Sequence, residues 1–273
     1  MRRVMNIVPQ RGGRMLLAFI PFVLIAMLYV VGSAERRAAN PDDKLLPPVA
    51  EMAQTSRHLA FKPDRRTGEV VLWVDTAASL RRLAIGLGVA TLAGLCFGLA
   101  LGLIPTVDSS LGTLVAVLSM VPPMAVLPIL FIVFGLGELS KVVLIVFGVT
   151  PCLIRDLTLK VTSLPREQMV KAQSLGASTW QVAIRVVLPQ IMPRLIESVR
   201  LQLGPAFLFL ISAEAIAADV GLGYRIFLVR RYLSMDVILP YVAWITLIAF
   251  AMDYALFTLA RRGFPWAYVE ERR

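Results

Sequence analysis

The chain has 273 residues, of which 58% are hydrophobic, with a mean hydropathy of +0.74 and a formal net charge of +10. That is too apolar for a soluble globular domain of this size, and no stretch between the apolar segments is long enough for a separate soluble domain. The positive charge is not evidence of nucleic-acid binding: the basic residues are scattered over both ends and most loops, as interfacial anchoring to anionic lipid requires, with attraction of an anionic solute or partner the lesser alternative.

A bilayer core about 30 Å thick takes about 20 apolar residues per helical span. Six segments meet that requirement, at about 15–32, 83–104, 111–135, 139–158, 195–218 and 237–260. Helices are expected because backbone polar groups must be satisfied inside lipid, and the strict alternation of membrane strands is absent. Arg2, Arg3, Arg11 and Arg14 precede the first span, and Gly32-Ser33-Ala34 offers small residues like those of a signal-peptidase site. The apolar run from Met15 to Gly32 is nevertheless longer than a signal peptide's core of about 7–15 residues, so it reads as a retained transmembrane helix.

The longest polar stretch, 33–82, reads as one loop. Pro47 and Pro48 introduce an amphipathic run that predicts a short interfacial helix from about Val49 to Leu59, and Pro63 to Gly68 reads as a turn. "EVVLWV" at 69–74 fits either a short strand or an extension of the second span. His58 has no Cys or His neighbours and does not suggest a metal site; Cys96 and Cys152 fall inside spans and read as packing residues.

In the second span Gly94, Gly98 and Gly102 share a helix face and permit close approach of another helix, within the subunit or at a dimer seam. The third span carries Pro122, Pro123 and Pro128, each lacking a backbone donor, so it is expected to be kinked. Such a break beside a translocation path would involve Met120, Pro122 and Pro123; a bent scaffold helix is the alternative. Among ionisable residues, Glu214 and Asp253 lie inside spans and Arg200 near the start of the fifth. Such residues are functional candidates by default. Glu214 is therefore a path candidate, with a structural role preferred, either as an acceptor near "GLGY" or paired with Arg200 or another span's donor. Pairing of Glu214 with Arg200 inside one helix is unfavourable, because 14 residues span about 21 Å.

The polar interruption before the fifth span has its own pattern. Ser163-Leu164-Pro165-Arg166-Glu167 suits a helix start, with Glu167 placed to complement the helix dipole. That helix runs to about Leu175, and Gly176 follows as the residue best suited to end it. Ser178 and Gln181 form a capping-box spacing that starts a second helix, with Trp180, Ile184 and Val187 on one face and Pro189 and Pro193 closing it. From physics alone this is a surface-presented helical hairpin or an ordinary interfacial connector. Counting basic residues does not orient it, because they divide almost evenly between the two sides of a six-span chain.

Gly176, nine residues, then Val186-Val187-Leu188-Pro189 resembles the cytoplasmic loop E-A-A-x3-G-x9-I-x-L-P of binding-protein-dependent ABC transporter permeases. "LLPPVAE", "VPPMAVLPILFIVFGLGELSK", "SLGASTWQVAIRVVLP" and "SAEAIAADVGLGYRIF" are similar, in order, to permeases of nitrate, sulfonate, taurine and bicarbonate importers. The E-A-A positions here are Val170, Lys171 and Ala172; the glutamate and first alanine are absent, and Glu167 lies about one turn earlier.

The resemblance implies an all-α, six-span permease of the type I (MetI-like) importer fold, a single domain over 1–273. It makes 33–82 an extracytoplasmic loop and 159–194 a cytoplasmic ATPase-coupling loop. Glu167, Lys171, Ala172, Gly176, Ala177, Ser178, Trp180, Leu188 and Pro189 would form the coupling surface. It further implies a bacterial inner-membrane protein with both termini cytoplasmic, a second permease subunit, two ATPase subunits binding ATP and Mg²⁺, and an external solute-binding protein. The missing glutamate leaves a heteromeric pairing open beside a homodimer. No G-x-x-x-x-G-K-[ST] phosphate loop occurs, so energy must come from a partner. The alternatives are a secondary carrier, for which no internal repeat is evident, and an intramembrane enzyme, for which no catalytic pair is evident.

Overall fold

The computed structural model describes residues 11–40, 43–64 and 68–268, and the regular structure in them is entirely helical. Arg2, Arg3, Arg65, Arg66, Arg272 and Arg273, counted among the basic residues above, lie outside the described residues. Among the described residues, five helices are long and apolar enough to cross a membrane, or six if two shorter helices bent at 96° are taken as one broken span.

The first span is α1 (Arg11–Ala39), none of whose apolar stretch is buried against the rest of the chain. It is tied at its far end: Tyr29 donates to the Pro47 carbonyl at 2.6 Å, Ser33 to the Leu46 carbonyl at 2.8 Å, and Arg36 pairs with Asp43. The Arg36 hydrogen bond holds the Asp43 carboxyl below the usual carboxylate range. The interfacial helix is α2 (Val49–Phe61), two residues longer than predicted. The 63–68 turn is closed by the Gly68 N–H on the Asp64 carbonyl at 2.8 Å, with Gly68 in the left-handed region at φ 71°.

The second span differs most from expectation. It is α3 (Val71–Leu103), starting twelve residues before the predicted Leu83, so "VLWV" extends the span and no strand forms. The polar residues that made 71–82 look like loop are mostly buried against other helices: Asp75, Thr76, Ser79 and Arg82 all lie inside the protein. Hydropathy scores each as a cost, but a buried polar group with partners costs little.

Against α3 runs α6 (Glu138–Thr162), and this seam settles the glycine stripe. An added Cβ would lie 2.9 Å from Ile145 at Gly86, 2.8 Å from Leu153 at Gly94, 2.7 Å from Leu157 at Gly98 and 2.5 Å from Val161 at Gly102. Both rows advance four residues at a time, so the contact is ridge into groove along the whole pair, within one subunit.

The third span is split into α4 (Pro105–Leu118) and α5 (Pro123–Phe134), which meet at 96°. Pro122 and Pro123 offer no N–H to continue the helix, and the turn between the pieces is held by Met120 and Val121 N–H groups on the Val117 and Leu118 carbonyls. Pro128, by contrast, lies inside α5 without breaking it.

After α6 the chain forms α7 (Arg166–Ser174) and α8 (Thr179–Val182), then a π-helical turn at Ala183–Val187, then α9 (Leu188–Ala217). The prediction that Pro189 and Pro193 end the second hairpin helix is corrected here: Thr179–Ala217 is one continuous helical span. The π turn explains it. The Leu188 N–H reaches back to the Ala183 carbonyl in a wider turn, so the ladder is already displaced where Pro189 has no N–H to continue it. The extra residue also resets the buried face: Val182 and Val187 are buried, while Trp180 and Ile184, predicted to share a face with Val187, point outward. The chain ends with α10 (Leu222–Arg230), α11 (Met235–Gly263) and a 3₁₀ turn at Pro265–Tyr268.

Candidate coupling site

The hairpin is built from local rules. Pro165 caps α7 from an extended conformation, and Glu167 occupies its first turn. At the other end Gly176 adopts φ 84°, the Ala177 N–H bonds the Ala172 carbonyl at 3.0 Å, and the Gly176 N–H bonds the Gln173 carbonyl at 2.9 Å. This pair of bonds is a Schellman motif, and Ala172 and Ala177, the residues it joins, both pack on the core. Ser178 and Gln181 complete the predicted capping box in both directions, at 2.8 and 3.3 Å.

The hairpin root is firmly seated. Leu164, Val182, Val187 and Ile191 are buried in the main core, and Gln190 bridges the two arms by donating to Gln168 at 3.0 Å. Lys160 of α6 pairs with Asp156 at 2.8 Å and donates to Ser198 of α9 at 2.6 Å; Ser198 also bonds Asp156. On α9 and α11, Arg200 holds Asp253 with two bonds of 2.8 and 2.9 Å, so Arg200 pairs across helices and not with Glu214. The hairpin tip is the opposite: Leu175 is 81% exposed, Trp180 73% and Val170 61%. They are exposed apolar side chains on a polar hairpin whose ends are fixed by caps. Of the residues predicted to couple, Glu167, Lys171, Gly176, Ser178, Trp180 and Pro189 are exposed, whereas Ala172, Ala177 and Leu188 are half-buried supports.

The residues predicted for a path are not brought together. Met120 and Pro122 are exposed at the α4–α5 break, where neighbouring Ser119 accepts from Arg155 at 2.9 Å, and Pro123 is half-buried. Glu214 is fully buried near the far end of α9, 26 residues beyond Leu188 and so about 39 Å along the helix from the hairpin.

Glu214 centres a network that sequence reasoning largely missed. It accepts from Ser79 at 2.7 Å, Arg82 at 2.6 Å and the Gly223 N–H at 2.8 Å. Arg82 also bonds the Val220 carbonyl and makes two bonds to Glu138, which Lys141 joins at 2.8 Å. Alongside, Asp75 accepts from the Gly221 N–H at 3.0 Å, Arg225 at 2.8 Å and Tyr241 at 3.1 Å, and the Leu222 N–H donates to Ser79 at 2.9 Å. Three consecutive N–H groups at the start of α10 thus end on side chains of α3 and α9. This satisfies donors that every helix start leaves open. Burial works against the Arg225 charge, yet its Asp75 bonds outweigh that and keep the guanidinium above its ordinary value. Gly221 must be glycine twice over: φ is 143°, and a Cβ would meet the Glu214 carboxylate at 2.6 Å.

Arg82, Lys141 and Arg225 are matched by Asp75, Glu138 and Glu214, so the network has no uncompensated cation to offer an anion. The signal available in the sequence was Asp75, Ser79 and Arg82 at i, i+4 and i+7, one helix face.

The family model for the binding-protein-dependent transport system inner membrane component matches residues 90–263. The chain is 38% identical over 198 residues to the taurine transport system permease protein TauC of Escherichia coli (strain K12), covering 72% of each chain. It is 30% identical over 195 residues to the putative aliphatic sulfonates transport permease protein SsuC of the same organism, covering 71% and 74%, and 25% identical over 248 residues to the nitrate import permease protein NrtB of Leptolyngbya laminosa, covering 89% and 85%. Inward-facing MetNI methionine ABC transporter structures share the fold, with a TM-score of 0.63 over 70% of this chain and 95% of theirs at 17% identity. With a six-span helical body, a helical hairpin carrying G-x9-V-x-L-P and a family match over most of its length, the chain belongs to the binding-protein-dependent inner-membrane permeases, the multi-pass transport subunits of ABC importers.

Proposed function

We propose that the 159–194 hairpin docks on a cytoplasmic ATPase and that α9 carries the resulting displacement across the membrane. A permease of this family works with an ATPase and a solute-binding protein. The proposed assembly has two permease subunits, preferably two copies of this chain, two ATPase subunits holding ATP and Mg²⁺, and one external binding protein. The observation that carries the proposal is the exposed Val170, Leu175 and Trp180 tip on a root continuous with a 39-residue helical span. A rigid element with discrete positions is what transmits such a change.

Docking on a cytoplasmic ATPase makes the hairpin cytoplasmic and, with six crossings, both termini as well. Basic residues outside the candidate spans divide evenly between the two sides and do not bear on it.

The proposed solute is a small anion or sulfonate such as nitrate, an alkyl sulfonate, taurine or bicarbonate, in line with the names of the taurine, nitrate and putative aliphatic-sulfonate relatives. Because the buried cations are all paired within the chain, selection of that anion is assigned to the binding protein. The experiment is solute uptake by proteoliposomes containing permease, ATPase and binding protein. Uptake that requires ATP inside is the expected result; uptake that persists without the ATPase would identify a secondary carrier and overturn the proposal.

A further inference from the structure

On the face opposite the hairpin, α2 lies against the first turns of α3 and α11 and leaves a groove of about 460 Å³ between them. Its walls include Leu59 and Phe61 of α2, Leu72 and Trp73 of α3, and Trp244 and Leu247 of α11. The size is that of a ligand site, and the lining is almost wholly apolar.

The depth of this groove in the bilayer is marked by its own side chains. Trp73 and Trp244 meet edge to face at 5.6 Å; the Trp73 N–H donates to the Ala60 carbonyl and the Trp244 N–H to Thr76. Indoles with an apolar body and a satisfied polar edge belong to the membrane–water boundary. At the mouth, Arg57 lines both the groove and a neighbouring hollow formed with Gln54, His58, Phe61 and Lys62. Neither lining contains a carboxylate, and Arg57 and Lys62 form no ion pair among the described residues. An apolar slot at the interface, with Arg57 at its opening and Lys62 in the adjoining hollow, complements an anionic headgroup joined to an acyl chain. Lys62 also faces a hollow that Asp64 lines.

We propose that the α2–α11 groove binds an anionic phospholipid of the bilayer, with an acyl chain along Leu72, Trp244 and Leu247 and the phosphate at Arg57 and Lys62. The floor gives this site a link to the rest of the molecule, because Tyr241 lines the groove and donates to Asp75 of the buried network.

The test is native mass spectrometry of the purified protein delipidated into mixtures of phosphatidylglycerol and phosphatidylcholine. Phosphatidylglycerol should be retained about tenfold or more over phosphatidylcholine, since each basic side chain contributes measurably to anionic-lipid attraction. Arg57→Gln with Lys62→Gln should reduce that preference to about twofold or less; both side chains are exposed, so the fold is retained. Leu247→Trp should lower retention of both lipids, whereas Val242→Trp, on α11 outside the groove, should not. A wild-type protein without lipid preference, a preference that survives the double charge substitution, or displacement of the lipid by inorganic phosphate alone would overturn the proposal. So would charge variants that lose the solute-binding protein while keeping their lipid.

Discussion

Removing the Arg82 guanidinium while keeping its shape, as in Arg82→Met, isolates the network that ends α9. Glu214 has no exposed surface, and it would keep Ser79 and the Gly223 N–H but lose its 2.6 Å charge partner. Breaking a buried pair from one side costs about 3–5 kcal/mol, because an uncompensated charge remains inside. The lower figure alone is about a hundredfold in the folded-to-unfolded ratio. Glu138 contributes less to this cost, since its side chain is 64% exposed and water replaces the lost bonds. The assay is chemical denaturation in detergent of Arg82→Met, Glu214→Leu and the double variant. The double variant should be markedly more stable than the sum of the two single losses, by about 2 kcal/mol, because it leaves no buried charge unpaired at Glu214. Additive losses, or a single-variant cost below about 1 kcal/mol, would refute the claim that Arg82 and Glu214 are one unit.

Other substitutions test other parts. Gly98→Leu should disrupt the α3–α6 seam and lower the thermal midpoint sharply, whereas Gly88→Leu, on the same helix with open space around it, should leave the midpoint within about 2 °C. Gly176→Ala forces a φ of 84° on a residue with a Cβ and should cost about 1 kcal/mol, read as faster amide exchange at Gly176 and Ala177 with global stability little changed. Gly221→Ala should cost more, since strain and collision with Glu214 coincide; a midpoint equal to wild type would show that the 218–223 turn can shift. Val170→Glu, which restores the family's glutamate on an exposed site, should leave stability unchanged and alter ATPase affinity by less than tenfold if the two partners have co-adapted to an apolar contact.

The hairpin was legible in the sequence almost residue by residue, because caps are local: Ser178, Gln181 and Gly176 act within five positions of themselves. The spans were legible as apolar runs, and Pro122 and Pro123 foretold the break at 119–122, whereas Pro128 sits within α5. What hydropathy could not show was the true start of α3. Asp75, Ser79 and Arg82 look like loop residues until their partners, 132 to 150 positions away, are in place. The continuity of α9 through Pro189 was hidden for a different reason. A π turn is one extra residue in the hydrogen-bond ladder, and the helical period gives no warning of it. Glu214 was recognised as either a path residue or an acceptor near "GLGY"; its three bonds favour the structural role, with Arg82 as the partner no sequence spacing would name.

The proposed coupling rests on the exposed hairpin tip holding the ATPase. Its most direct test is co-purification of the ATPase subunit with Trp180→Asp, measured beside the thermal midpoint of the permease alone. Trp180 is 73% exposed, so the midpoint should stay within about 2 °C of wild type while recovered ATPase falls tenfold or more. Recovery of the ATPase at the wild-type yield with an unchanged midpoint would contradict the account.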